Sequence, residues 1–138
     1  MSARLMIGEL ARKTGTKVNT IRFYEDVGLL PKPVRTASGR RTYGNDDLRR
    51  LAFIRHARAL GFGTAVIRSL VALAEDPEQD CGEAKQIAAH HLVDVEQRIE
   101  QLTALKAELH RMVAGCSENR RIAECRIIEA LGDRSRPM

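Results

Sequence analysis

The residues in this chain best suited to specific chemistry are three cysteines, Cys81, Cys116 and Cys125. The thiolate is the form that binds metal, and sulfur donors select thiophilic ions over hard ones. Cys116 and Cys125 lie nine positions apart across the polar segment 117–124, so one ion could fold that segment around itself. Three isolated cysteines also have a plainer use as core or surface residues, and no Cys-x-x-Cys pair decides between the two. An odd count argues against a closed set of structural disulfides. The histidines His56, His90, His91 and His110 show no metal-ligand spacing and read as surface or packing residues. The sequence has no Gly-rich phosphate loop, no supported Ser/His/Asp arrangement and no paired carboxylates in an apolar setting. Enzyme activity therefore has no support in these residues.

What positions the cysteines is a long helix. From about Gly82 to Ala114 there is no Pro and no internal Gly, and Leu92, Val95, Ile99, Leu102, Leu109 and Val113 alternate by threes and fours, interrupted by Lys106. That pattern is a heptad seam rather than a broad core face. Such a helix would be roughly 48 Å long at 1.5 Å per residue, too long and one-sided to be buried within so small a chain. No second long helix exists to pair with it internally, so a homodimer is expected. Cys81, before the helix, would stand roughly 50 Å from Cys116 of its own chain. An antiparallel helix pair would instead set Cys81 of one subunit beside Cys116 of the other, giving two three-thiolate sites per dimer. Gly115 ends the helix, and a short loop leads to a last apolar stretch, Ile127-Ile128-Glu129-Ala130-Leu131.

The front of the chain has a different pattern. Residues 5–13 read as a short helix with Ile7, Leu10 and Ala11 on one face, and Thr14-Gly15-Thr16 breaks it. Thr16 or Asn19 would cap a second helix ending near Gly28, with Val18 and Ile21 inward. Two short helices joined by a Gly-containing turn form a helix-turn-helix. Pro31 and Pro33 follow, then a hairpin of 34–36 and 41–43 turning at Ser38-Gly39. Carrying Arg35, Arg40 and Arg41, it would make a wing over a phosphate backbone. Asn45 would cap a helix of about 45–60, with Leu48, Leu51, Ala52, Ile54 and Leu60 apolar. A fourth helix, 64–74, would turn Val66, Ile67, Leu70 and Leu73 inward.

Charge follows the same division. Residues 1–58 hold 13 Lys/Arg against 5 Asp/Glu, whereas residues 59–138 hold 10 against 13. A basic front and a mildly acidic rear point to a polyanion partner for the front alone. Aromatics are 4% of the chain, too few for a platform stacking single-stranded nucleic acid. No apolar run reaches the roughly 18 residues of a membrane span, and Glu9 comes too early for a secretory signal. A cytoplasmic protein with reduced thiols and no membrane partner is expected.

Ile7-Gly8-Glu9-Leu10-Ala11, Val18-Asn19-Thr20-Ile21-Arg22-Phe23-Tyr24-Glu25 and Gly28-Leu29-Leu30-Pro31 resemble the MerR family of bacterial regulators. Arg40-Arg41-Thr42-Tyr43 and the stretch Ile54 to Phe62 continue the match, so the resemblance runs over essentially the whole chain. It implies a mainly α fold: a winged helix-turn-helix domain over 1–75, then a long antiparallel coiled-coil dimerisation helix and a short metal-binding loop over 76–138. The cysteines resemble those of the metal-sensing branch, which implies Cys81, Cys116 and Cys125 as ligands shared across the subunit interface. Cys81, absent from the copper and silver sensors, implies a divalent ion. The nine-residue spacing is similar to that of the mercury and lead sensors, and cadmium sensors share the three-thiolate set. Ser117 after Cys116 and a loop without His make zinc the less favoured ion.

The resemblance also implies a mode of action. A homodimer sits on an inverted repeat of double-stranded promoter DNA with or without metal, repressing without it. Metal then bends and untwists the DNA so that RNA polymerase can use the promoter, activating genes of heavy-metal resistance or efflux. Asn19 and Thr20 are expected at base edges or nearby phosphates, and Lys17, Arg22, Tyr24, Arg35, Arg40 and Tyr43 at the backbone. A regulator of thiol or organic-ligand stress is the alternative.

Overall fold

The computed structural model describes residues 4–133, and the chain divides into two compact units, Met1–Ala88 and Ala89–Met138. The first unit contains β1 (Leu5–Met6), α1 (Ile7–Thr14), α2 (Val18–Asp26), β2 (Val34–Arg35), β3 (Arg41–Tyr43), α3 (Asn45–Ala59) and α4 (Thr64–Ala74). The wing is a sheet of order β1-β3-β2, antiparallel throughout. Val34 stands opposite Thr42 and Arg35 opposite Arg41, so the expected hairpin forms in register.

The start of the chain differs from its expected helix. Leu5 and Met6 form a strand opposite Tyr43 and Thr42, and α1 begins only at Ile7. The reason is backbone satisfaction: β3 gains partners on both edges, and Leu5 packs partly buried against the core. Arg4 adds to this seam, donating from Nη2 to the Thr42 carbonyl at 3.0 Å.

The helix caps differ too. Lys17 precedes α2 and Gly44 precedes α3, so Thr16, Asn19 and Asn45 cap nothing. At α3 it is Asp47 that reaches back, its Oδ2 accepting from the Gly44 amide at 2.8 Å. Gly15, at φ 64° in the turn between α1 and α2, takes the left-handed conformation that closes α1 over the shortest path.

The core lies in this first unit. Leu10, Ile21, Leu29, Leu51, Ile54 and Ile67 are fully buried, joined by Tyr24, Leu30, Tyr43 and Ala57. They join α1, α2, α3 and α4 around Tyr43 of β3, with α1 packed against β1 and β3. On α3 the inward row is Leu51, Ile54 and Ala57, three residues apart, so Ala52 and Leu60 fall outside it and are exposed.

The long helix α5 (Gly82–Ala114) runs unbroken for 33 residues, none of them buried among the described residues. After it come a single 3-10 turn, Ile122–Glu124, and α6 (Arg126–Leu131). Leu92, Val95, Ile99, Leu102 and Leu109 are between 39% and 58% exposed, an apolar stripe left open by the described residues. Among the described residues, no helix is long and apolar enough to cross a membrane.

Candidate nucleic-acid interface and metal centre

On α2, helical spacing divides the residues cleanly. Ile21 and Tyr24 face the core, while Asn19, Arg22, Phe23 and Asp26 are exposed on the other side, with Lys17 exposed just ahead of the helix. Thr20 is half-buried between the two faces. The wing presents Arg35 and Arg40, both exposed. Arg35 also holds the hairpin, donating from Nη1 to the Gly39 carbonyl at 2.7 Å across the turn. A basic wing beside a polar helix face is a surface fitted to phosphates and base edges together.

The structure corrects two expected backbone contacts. Tyr24 and Tyr43 are 7% and 1% exposed, core residues rather than outward arms. The Tyr43 hydroxyl donates to Glu25 Oε1, and burial, then that bond, push its pKa well above the usual range. Glu25 Oε2 meanwhile lies 3.3 Å from Arg41 Nε, an ion pair whose carboxylate is only 7% exposed. Arg41 Nε is not aligned for a hydrogen bond, so the attraction there is one of charge. Glu25 thus ties α2 to β3, the helix to the wing. Sequence reasoning missed this node; the signal was that Arg41 and Tyr43, two apart on a strand, share a face that needs a carboxylate partner.

Arginines brace the same unit from outside. Arg55 donates to the Thr14 carbonyl at the end of α1, and Arg68 to the Val27 carbonyl just after α2. Both meet carbonyls at helix ends, that of Thr14 also accepting from Thr16 Oγ1 at 3.5 Å. Arg50 of α3 pairs with Glu75 after α4.

In the second unit, the loop after α5 brings two expected ligands together: Cys116 Sγ and Cys125 Sγ are 3.7 Å apart, both half-buried and unbridged. Cys125 immediately precedes α6, where the Ile128 amide stabilises its thiolate and lowers its pKa, aided by Cys116 and the Ile127 amide. Cys116 is shifted upward, first by donating to Cys125 and then by burial. The pair therefore favours the thiolate at Cys125 and the thiol at Cys116. Two sulfurs bound tetrahedrally to zinc at about 2.3 Å sit about 3.8 Å apart, so the two thiols already stand at about the separation that sharing one thiophilic ion requires. Cys81 is exposed in the first unit, and among the described residues no three His, Cys, Asp or Glu gather within one chain to hold an ion.

A helix-turn-helix with a basic wing, joined to a unit bearing a thiol pair, defines a DNA-binding regulator rather than an enzyme. Residues 5–73 match the family described as MerR HTH family regulatory protein, and residues 48–112 match that described as MerR, DNA binding. The chain belongs to the MerR family of transcription regulators. It is 40% identical over 125 residues to a probable heavy metal-dependent transcriptional regulator of Haemophilus influenzae, covering 91% of this chain and 97% of that one. Among solved structures it is similar to the regulator PbrR691 of Ralstonia metallidurans CH34 in complex with lead(II). That match has a TM-score of 0.80 and 39% identity, covering 92% of this chain and 99% of the other. It is also similar to MerR of Bacillus megaterium MB1 in complex with mercury(II), with a TM-score of 0.69 and 32% identity over 94% and 100% of the two chains.

Proposed function

We propose that this chain is a metal-responsive transcription regulator whose effector is a divalent thiophilic ion, held by Cys116 and Cys125 of one subunit and Cys81 of another. The observation that carries this reading is the Cys116–Cys125 approach of 3.7 Å at the head of α6. The third thiol comes from a second copy because α5 alone, at 33 residues, rises about 50 Å. The exposed seam of Leu92, Val95, Ile99, Leu102 and Leu109 supports an antiparallel homodimer that brings it there. Similarity to the lead(II)- and mercury(II)-bound relatives supports a divalent thiophilic ion such as lead or mercury. Cadmium as a candidate, and zinc as the less favoured ion, rest on Cys81, the Cys116–Cys125 spacing and a loop without His.

The dimer binds an inverted repeat of double-stranded promoter DNA. Asn19 and Thr20 lie at or beside base edges, and Lys17, Arg22, Arg35 and Arg40 grip phosphates. The exposure of Asn19, Lys17, Arg22, Arg35 and Arg40 supports these assignments. Without metal the complex represses. Metal held by these thiols would change the dimer so that the promoter is bent and untwisted and RNA polymerase can use it. Competitive titration of the reduced dimer with lead(II), mercury(II), cadmium(II) and zinc(II), followed by thiolate-to-metal charge-transfer absorbance, tests this directly. Two tight ions per dimer, with DNA bending that follows their addition, is the expected result. Binding of none of them would reject it.

One further reading is favoured by the same geometry, a thiol switch in which Cys116 and Cys125 form a disulfide. Bending that follows oxidant rather than metal would select it.

A further inference from the structure

The outward face of α2 carries a group that phosphate gripping does not explain. Phe23 is 50% exposed there, one helical turn after Asn19 and next to Arg22. Its ring is braced on the buried Tyr24 ring, with centroids 5.9 Å apart at 51°, and the rest of it faces out. A phosphate oxygen offers an aromatic hydrocarbon nothing. Asp26 on the same face would be repelled by the backbone, whereas it can accept from a cytosine amino group. The face as a whole therefore fits the floor of the major groove, where the one apolar group is the thymine C5-methyl.

We propose that Phe23 is a specificity-determining residue that packs on a thymine methyl of the operator. It lies one helical turn, about 5.4 Å, from Asn19, and base pairs rise about 3.4 Å each. The thymine is therefore within two base pairs of the pair read by Asn19. This rests on the reading above that α2 enters the major groove.

The probe is the inverted repeat that the full-length reduced protein enriches from a randomised duplex pool. Each thymine in turn is replaced by deoxyuridine, which removes the methyl and nothing else. Wild-type affinity should fall about fourfold for one half-site at a single symmetric position, the effect of one buried methyl, and stay level elsewhere. Phe23→Ala, which removes the contact from both half-sites, should bind the thymine duplex as weakly as wild type binds the duplex with uracil at both symmetric positions, and be indifferent to uracil there. Its salt dependence should be unchanged. A wild-type scan without any sensitive thymine overturns the proposal and needs no variant to fold, and so does Phe23→Ala retaining the full uracil effect. If Asn19→Ala and Arg22→Ala also bind like wild type, the placement of α2 in the groove falls with it. If they weaken binding, the failure belongs to Phe23 alone.

Discussion

Glu25 is where the DNA-binding unit is held to a single shape, because one buried carboxylate takes a hydrogen bond from Tyr43 and the charge of Arg41. None of these side chains needs to touch DNA to matter for binding. If the tie loosens, α2 and the wing no longer present their groups in one register. Tyr43→Phe keeps the ring and removes the hydroxyl, leaving half of a buried carboxylate unsatisfied. It should cost about 1.5–3 kcal/mol, seen as a lower urea midpoint with unchanged slope. The pH dependence has a definite sign. The folded-state pKa of Tyr43 is raised above its ordinary value of 10, so its contribution is whole below pH 10 and is lost as pH climbs toward the raised value. The stability gap between wild type and Tyr43→Phe should therefore narrow above pH 10. A gap that widens there would mean the phenol is ionised more easily in the folded protein.

At the scale of elements, the exposed arginines of α2 and the wing make a prediction about salt. A dimer carries each residue twice, so Arg22→Ala or Arg40→Ala should reduce the slope of log affinity against log salt by about 1.8 while weakening binding to all sequences. A loss confined to one base pair, with the slope intact, would make that arginine a base reader. The seam of α5 makes another. Leu102→Glu places a charge in the middle of the apolar stripe, which should weaken the dimer by roughly 10²–10³-fold and give monomers in sedimentation at micromolar concentration. An unchanged dimer would put the interface on another face. Periodicity made these helices legible: Leu48, Leu51 and Ile54 on α3 and the seam from Leu92 both repeat at helical spacing. What it could not reveal were pairings between distant positions. β1 exists because Leu5 finds Tyr43, and the Glu25 tie joins residues 18 apart. Leu60 looked apolar enough for the core, but α3 turns it to solvent one residue after the helix ends.

For the whole molecule, the question is whether one subunit can sense anything alone. Cys116 and Cys125 meet within a chain, and Cys81 comes before the 33-residue α5, in the other unit. The shared-site arrangement makes a prediction that no single-subunit site can imitate. Cys81→Ser should abolish tight metal binding, and so should Cys116→Ser/Cys125→Ser, since each homodimer then lacks a necessary thiol in both sites. Mixing the two restores one site. In the heterodimer, the Cys81→Ser chain supplies Cys116 and Cys125, the other supplies Cys81, and the opposite site has no thiol at all. Heterodimers isolated through two different tags should bind one tight ion, against two for the wild-type dimer and none for either pure mutant. They should also bend DNA on metal addition to a degree that reports whether one occupied site is enough. If the Cys81→Ser homodimer binds ions as tightly as wild type, two thiols of one chain suffice. If the heterodimer binds no better than its parents, Cys81 is not a ligand across the interface.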